Sequence, residues 1–419
     1  MVNPRVVHYA TLILGFLVIM SLGSGQWFFG DDWAILAPRF DDDVMLPHVG
    51  HWNLVPAVVF PAVRNWFGLD TYAPFLALAL LMHLLVAHLS WRILARVGVA
   101  PWIATILAAL IVFLGGGAEN ILWAFQFGFM GGIALALGAV LLADAAPLTW
   151  PRATGIVALT VVAVAFSGSA LPVVAAGALL AWLRHGFLRA VLLFLPAAAG
   201  YLAWYLLVAR QYPVSGTGIH SISELGGAVL YAGAMFAGGL GRMLPLIHLG
   251  VILAAAVAAW FVVTARRGFR GVAAPAYALV IGCLVFAGLT AWSRSSLSFT
   301  AAASQRYAYL VIVLLLPALG LLVTALAARG TRWSVGTTVG LLALVGFNAA
   351  LLAVEAAAQS ARESESREVV LDSFEAVLDD PGDATLLDAP ADPRWAPDLL
   401  GGDLLTLSRW GQFQPDGAR

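Results

Sequence analysis

Residues 8–36 read HYATLILGFLVIMSLGSGQWFFGDDWAIL. The first part, 8–26, carries no acid, lysine or arginine, and as a helix it is long enough to cross the hydrocarbon core of a bilayer. Asp31 and Asp32 follow within six residues. The chain is 61% hydrophobic and only 11% charged, with a mean hydropathy of +0.91. Two adjacent carboxylates at the edge of so much hydrocarbon admit two readings. One is chemistry or ion binding; the other is a helix-capping aspartate followed by a solvated neighbour.

Working outward from this stretch, apolar runs of spanning length recur as far as residue 354. They predict an all-α integral membrane protein with about eleven transmembrane helices, at 8–26, 72–94, 101–117, 126–144, 153–167, 169–184, 188–208, 246–264, 272–292, 307–328 and 333–354. The Gly-rich segment 226–241 is apolar but short, and reads as an interfacial helix. The first apolar segment lacks a small-x-small cleavage site and is read as a retained helix.

All 22 basic residues are arginine. With the N-terminus cytoplasmic, the inner loops receive Arg5, Arg92, Arg96, Arg152, Arg184, Arg189, Arg266, Arg267, Arg270, Arg329 and Arg332. The outer loops before residue 355 hold Arg39, Arg64, Arg210, Arg242, Arg294 and Arg306, and Asp144 is the one acid placed inside. This is the positive-inside pattern. No basic-aromatic ribbon points to nucleic acid. The single cysteine, Cys283, excludes an intrachain disulfide and a Cys-cluster metal site.

Outside the predicted spans, the first outer loop, 27–71, is long. It holds Asp31, Asp32, Asp41-Asp42-Asp43, His48, His51 and Arg64, and its apolar stretches 33–36 and 54–68 predict amphipathic helices along the membrane surface. A second outer segment runs from Gly115-Gly116-Gly117 through Glu119, Asn120 and Gln126. No GK[ST] follows the glycines, so a P-loop is excluded. A third group includes Tyr212, His220, Glu224, Arg294, Ser304, Gln305 and Arg306. Arg306 opens a helix against the helix dipole, so helix stability does not account for it. It reads either as a general lipid-headgroup contact or as the grip on one phosphate.

Residues 1–354 are therefore read as a transmembrane body, and 355–419 as a small extracytoplasmic C-terminal region. Thirteen of the 23 acids lie beyond Glu355. A helical start at 361–378 meets the turn signal Asp380-Pro381-Gly382-Asp383. Gly128-xxx-Gly132 and Gly336-xxx-Gly340 are small-xxx-small matches. His83 and His88 are the main ionisable residues inside the spans, and a histidine in a helix bundle is usually an interhelical hydrogen bonder.

Coupled transporters keep polar groups near the midplane, whereas here they gather at the outer face. Acids, histidines and arginines at one face suit glycosyl transfer from a lipid phosphate sugar. A carboxylate takes the acceptor proton and cations meet the departing phosphate.

Phe29-Gly30-Asp31-Asp32-Trp33, His48–Pro56, Glu119–Gly128, Ser304–Tyr309 and Leu386-Leu387-Asp388-Ala389-Pro390 together resemble the GT-C superfamily of polytopic membrane glycosyltransferases, in particular its actinobacterial-type members. The resemblance spans the chain as an architecture: a first span, an acid in a long outer loop, many spans, and a short outer C-terminal region. It implies a GT-C-like fold and an inverting-type glycosyltransferase of hexosyl or pentosyl units. The sugar would pass from a polyprenyl-phosphate donor to an envelope glycan or lipid acceptor at the outer face of the plasma membrane.

By that resemblance the catalytic base is Asp31 or Asp32, with Asp31 preferred. Arg306 would bind the donor phosphate with Arg294 in reserve, and His48, His51, Glu119 and Gln126 would shape the substrate pocket. A divalent metal, Mg or Mn, between the Asp pair and His51 is chemically reasonable but is not predicted. Relatives often carry a larger outer domain than this chain. The rival readings are a transporter or flippase of a lipid-linked saccharide, and a non-catalytic envelope scaffold.

Overall fold

Asn3 opens the first helix, α1 (Pro4–Leu22), by accepting a hydrogen bond from the Arg5 amide at 2.9 Å, with proline at the first helical position. This is a computed structural model, described for residues 2–42, 44–48, 50–212, 221–266, 268–294 and 298–414; Asp43, His220 and Arg267 fall outside the described residues. The other long helices are α2 (Leu54–Phe67), α3 (Ala73–Arg96), α4 (Pro101–Val112), α5 (Phe127–Asp144), α6 (Trp150–Phe166), α7 (Leu171–His185) and α8 (Phe187–Leu207). After them come α9 (Ile222–Arg242), α10 (Gly250–Ala265), α11 (Ala274–Arg294), α12 (Gln305–Ala327) and α13 (Thr331–Asp379). Two two-stranded ribbons are the only sheet among the described residues. The protein is all-α and multi-pass.

Among the described residues, eight helices are long and apolar enough to cross a membrane, or nine if the bent pair Pro101–Val112 and Gly115–Leu122 is one span. The count of eleven is not reached on that measure. The expected spans at 153–167 and 169–184 are helices of 17 and 15 residues. At about 1.5 Å per residue they fall short of the roughly 30 Å hydrocarbon core. The expected span 101–117 is instead bent by 45° at the glycine run.

The core centres on α5, which packs against α3, α6 and α7, while α11 lies between α7 and α12. Small residues set these approaches. A Cβ on Gly128 would lie 2.9 Å from Pro56, and one on Gly132 would lie 3.0 Å from the Ala163 carbonyl. Gly336 and Gly340 face nothing within 4 Å, so only the first small-xxx-small match is a helix contact within the described residues. His83 bridges helices, its Nδ1 2.8 Å from the Tyr309 hydroxyl and its Nε2 3.1 Å from the Val112 carbonyl. His88 Nδ1 lies 3.2 Å from His8 Nε2, and both rings stack on Trp91. At the pole opposite Asp31, Asp144 is held by Arg184 at 2.8 Å and approached by Arg96 at 3.6 Å.

The first loop departs from expectation in one half. Leu54–Phe67 is amphipathic, with Phe60 and Arg64 buried and Trp66 85% exposed. The stretch Trp33–Leu36 is a single buried helical turn, not a surface helix, because Trp33 packs on Trp27 and Phe28. The segment read as 226–241 is longer than expected: α9 has 21 residues and is not among the eight. A Cβ on Gly238 or Gly239 would meet Ala303 or Val311, which ties the C-terminal turns of α9 to the start of α12.

The helical start expected at 361–378 is the continuation of the last apolar helix. α13 runs unbroken for 49 residues, roughly 70 Å, more than twice the bilayer core. Ser366 donates to Asp392 Oδ2 at 2.7 Å and Ser373 to the Ala391 carbonyl at 2.7 Å, which fastens the ribbon Pro390–Asp392/Ala396–Leu400 to α13. The tail then wraps the first loop. Trp395 O accepts from the Gly30 amide at 2.6 Å, Gln412 O from the Leu69 amide at 2.7 Å, and Arg39 bonds to Asp403 and to the Asp398 carbonyl.

Candidate functional site

The turn carrying the acids is shaped by Gly30. Its φ of +56° lies in the left-handed region that glycine adopts without a Cβ penalty. The chain enters extended at Phe29 and closes one 3-10 turn, Gly30–Asp32. The two aspartates then part company. Asp32 is fully buried, and its Oδ2 accepts from the Phe29 amide, the Tyr72 hydroxyl and the Trp123 indole N–H, each at 3.2 Å. Its Oδ1 has no hydrogen-bond partner among the described residues. Burial pushes its carboxyl well above the usual carboxylate range; the Phe29 amide opposes this, the nearby Glu363 adds to it, and Tyr72 and Trp123 oppose it. Asp31 keeps 30% of its side chain exposed, and its Oδ1 lies 3.3 Å from His48 Nε2.

His48 and His51 are directly paired residues of the ribbon Pro47–His48/His51–Trp52. Side chains paired in this way share a face. Phe125 packs edge-on against His48 at 5.2 Å, and Trp123 lies 5.3 Å from Phe125. His51 is exposed, yet protein crowds its ring so closely that desolvation pushes the imidazole down to about 4, helped by the charges of Arg294, His48 and Arg306. It is neutral above that value, with both arginines near enough to act on it.

Arg306 has a partner that the helix dipole did not supply. Its Nε lies 2.8 Å from Glu119 Oε1, and its guanidinium is 5.7 Å from the Trp123 ring. The Glu119 amide donates to Gln305 Oε1 at 2.8 Å, which joins the 115–122 bend to the start of α12. Arg306 remains 44% exposed. The contacts thus pair Asp31 with His48 and Glu119 with Arg306, while the charges of Arg294 and Arg306 act on His51. Gln126 takes no part in these contacts. Gln126 is 2% exposed and accepts from Asn120 Nδ2 at 3.4 Å inside the protein.

A metal between the Asp pair and His51 does not fit this arrangement. Asp32 faces Tyr72 and Trp123, Asp31 faces His48, and His51 stands against Gly168. Among the described residues no group of three or more His, Cys, Asp or Glu is placed to hold a metal ion.

Two participants had no sequence signal. Tyr72 reads as an ordinary interfacial aromatic, but its hydroxyl donates to Asp32 and accepts from the Ala124 amide at 2.6 Å. Glu363 lies in a charged stretch beside Arg362 and Glu365. In the fold it is fully buried, accepting from the Trp27 amide at 2.9 Å and from Gln359 Nε2 at 2.8 Å. No family model, curated protein or solved structure matches this chain.

Proposed function

We propose that this chain is a glycosyltransferase of the plasma membrane. It moves a sugar from a polyprenyl-phosphate donor to an envelope glycan or lipid acceptor at the outer face, and Asp31 is the general base. One observation carries the reading: Asp31 is an accessible carboxylate on a turn fixed by its buried neighbour, and an exposed arginine stands across the same aromatic wall of Trp123 and Phe125. The arginine excess on the other pole supports a cytoplasmic N-terminus with Asp31 outside.

In this reading Asp31 takes the proton of the acceptor hydroxyl as that oxygen bonds to the anomeric carbon. The carbon–oxygen bond to phosphate breaks, and the polyprenyl phosphate leaves with the electron pair. Arg306, with Arg294, meets its charge through the guanidinium fork. Glu119 holds Arg306 in place until the phosphate arrives. Asp32 does not touch substrate; it fixes the turn through Phe29, Tyr72 and Trp123.

The test is envelope-glycan and lipid-linked sugar profiling of a deletion strain complemented with wild type or Asp31→Asn. A lost glycan residue, an accumulated polyprenyl-phosphate sugar, and rescue by wild type alone are expected. Full rescue by Asp31→Asn defeats the enzyme reading. Arg306→Ala removes a charge-assisted contact worth about 1.5–3 kcal/mol, so donor affinity should fall roughly 10- to 100-fold; unchanged affinity removes Arg306 from the site.

A further inference from the structure

Gln305, which holds the Glu119 amide beside Arg306, also lines a cavity of about 220 Å³ that the transfer chemistry does not use. Arg242 and Glu355 line it with Gln305, next to Gly115 and Gly116. The three polar residues come from three helices: Arg242 ends α9, Gln305 begins α12, and Glu355 lies on α13. Close backbone packing fixes the walls. A Cβ on Gly116 would strike the Arg242 carbonyl and one on Gly241 the Ile247 carbonyl, so glycine lets backbone meet backbone there. Asn348 Nδ2 of α13 donates to the Met243 carbonyl at 2.8 Å, which holds the turn after Arg242 in place.

The polar side chains keep donors and acceptors to spare. Arg242 Nε donates to the Ala303 carbonyl at 2.8 Å, and no hydrogen bond among the described residues engages its two terminal nitrogens. Gln305 Oε1 accepts from the Glu119 amide, and its Nε2 is likewise unengaged. Arg242 and Glu355 share the cavity, but neither is in an ion pair among the described residues. The rest of the lining is apolar and includes Pro245 and Ile247, which are exposed with Leu246 between them. Glu355 directly follows the apolar run 333–354, so the cavity sits where hydrocarbon gives way to headgroups.

We propose that this cavity binds the headgroup of a phospholipid carrying a primary ammonium, of the phosphoethanolamine type. Its volume is below the roughly 300–1,000 Å³ of sites for drug-sized ligands and suits one headgroup. Arg242 and the Gln305 amide donate to phosphate oxygens, and Glu355 accepts from the ammonium. The charge pattern selects a zwitterion. A purely anionic headgroup would face Glu355, and an amine alone would face Arg242. Choline is disfavoured as well: a quaternary ammonium has no N–H to donate and is held by aromatic rings, and no aromatic residue lines this cavity. The acyl chains run out over Pro245, Leu246 and Ile247. Arg242, Gln305 and Glu355 have no part in the transfer step, so the lipid site is independent of it.

The experiment is native mass spectrometry of the purified full chain, delipidated in detergent. It is given equimolar phosphatidylethanolamine, phosphatidylcholine and phosphatidylglycerol of identical acyl chains. The variants are Arg242→Gln, Glu355→Gln and, as a control outside the cavity, Arg210→Gln, with thermal melts to report folding. Wild type and Arg210→Gln should retain the ethanolamine lipid about tenfold more than the other two, the weight of one charge-assisted contact. Arg242→Gln should lose that lipid about tenfold. Glu355→Gln, a near-isosteric change, should shift preference to the glycerol lipid, and this shift carries the test even if Arg242→Gln does not fold. Equal retention of the three lipids by wild type, preference for the glycerol lipid in wild type, or an unchanged preference in Glu355→Gln overturns the site. Displacement of the bound lipid by equimolar glycerophosphoethanolamine would make the ligand a soluble ester and overturn the lipid assignment.

Discussion

Trp123 donates its indole N–H to Asp32 Oδ2 at 3.2 Å, and the same ring lies 5.7 Å from the guanidinium of Arg306. One side chain therefore ties the acid turn of the first loop to the basic start of α12, although 274 positions separate Asp32 from Arg306 in the chain. Phe29 lies 5.3 Å from Trp123 and 5.4 Å from Trp395, so the C-terminal tail joins the same assembly.

The two aspartates should fail in different ways. Asp31→Asn should lower transfer by about 10²- to 10⁴-fold, the usual weight of a general base, with an unchanged melting temperature. Asp32→Ala leaves the Tyr72 hydroxyl, the Trp123 indole and the Phe29 amide without their shared acceptor. It should destabilise the protein, at about 1–3 kcal/mol for a buried group left unpaired. Thermal melts and transfer assays on both variants separate the roles; equal melting losses would refute the division.

Glu363 makes stability depend on pH. It lies about nine residues beyond the last apolar run, outside the membrane, and burial pushes its carboxyl up from 4.5 to about 7 against the hydrogen bonds from Gln359 and Trp27 and the charge of Arg362. A folded-state value above the unfolded one means that the folded chain holds the extra proton between the two. The contribution is complete below about 4.5 and is lost as pH rises through about 7. Melting temperature should therefore fall between pH 5 and 8 in wild type, and the fall should shrink in Glu363→Gln. Parallel curves for the two proteins would count against it.

The tail should hold the acid turn. Arg39→Ala removes its bonds to Asp403 and to the Asp398 carbonyl. Hydrogen–deuterium exchange should then rise in residues 29–42 and 395–404, with α5 unchanged. Exchange confined to the tail would show that the turn stands without it.

Helix packing gives a prediction about glycine. Gly128→Ala places a methyl 2.9 Å from Pro56 and 3.1 Å from the Phe166 carbonyl, and overpacking of this kind costs about 1–3 kcal/mol. Gly340→Ala meets nothing within 4 Å and should be neutral or mildly stabilising. Melting temperatures of the two variants in one detergent decide the matter.

Much of this was legible in the chain itself. Runs such as 307–328 cannot be dissolved in water without great cost, so the membrane class and the all-α fold follow from composition and run length alone. The place of Asp31-Asp32 after the first run, and the asymmetry of the arginines, are likewise properties of order along the chain. Helix length was less legible. The helices Trp150–Phe166 and Leu171–His185 stop short because Pro151 and Pro172 open them and Ser167 and Gly186 close them, details that an averaged hydropathy passes over.

What only the tertiary structure decided is which polar side chains are buried and which are open. Asp31 and Asp32 are chemically identical neighbours, and nothing in their spacing tells them apart. Their difference comes from Tyr72, Trp123 and Glu363, which lie 40, 91 and 331 positions from Asp32. Gln126 is hidden by the same packing, and Arg306 is paired by a bend at Gly115–Gly117 that brings Glu119 to it. Hydrophobicity acts on each residue where it stands in the chain, so the sequence alone sets the membrane fold. Desolvation and hydrogen bonding depend on what lies a few ångströms away in space, so the site belongs to the fold.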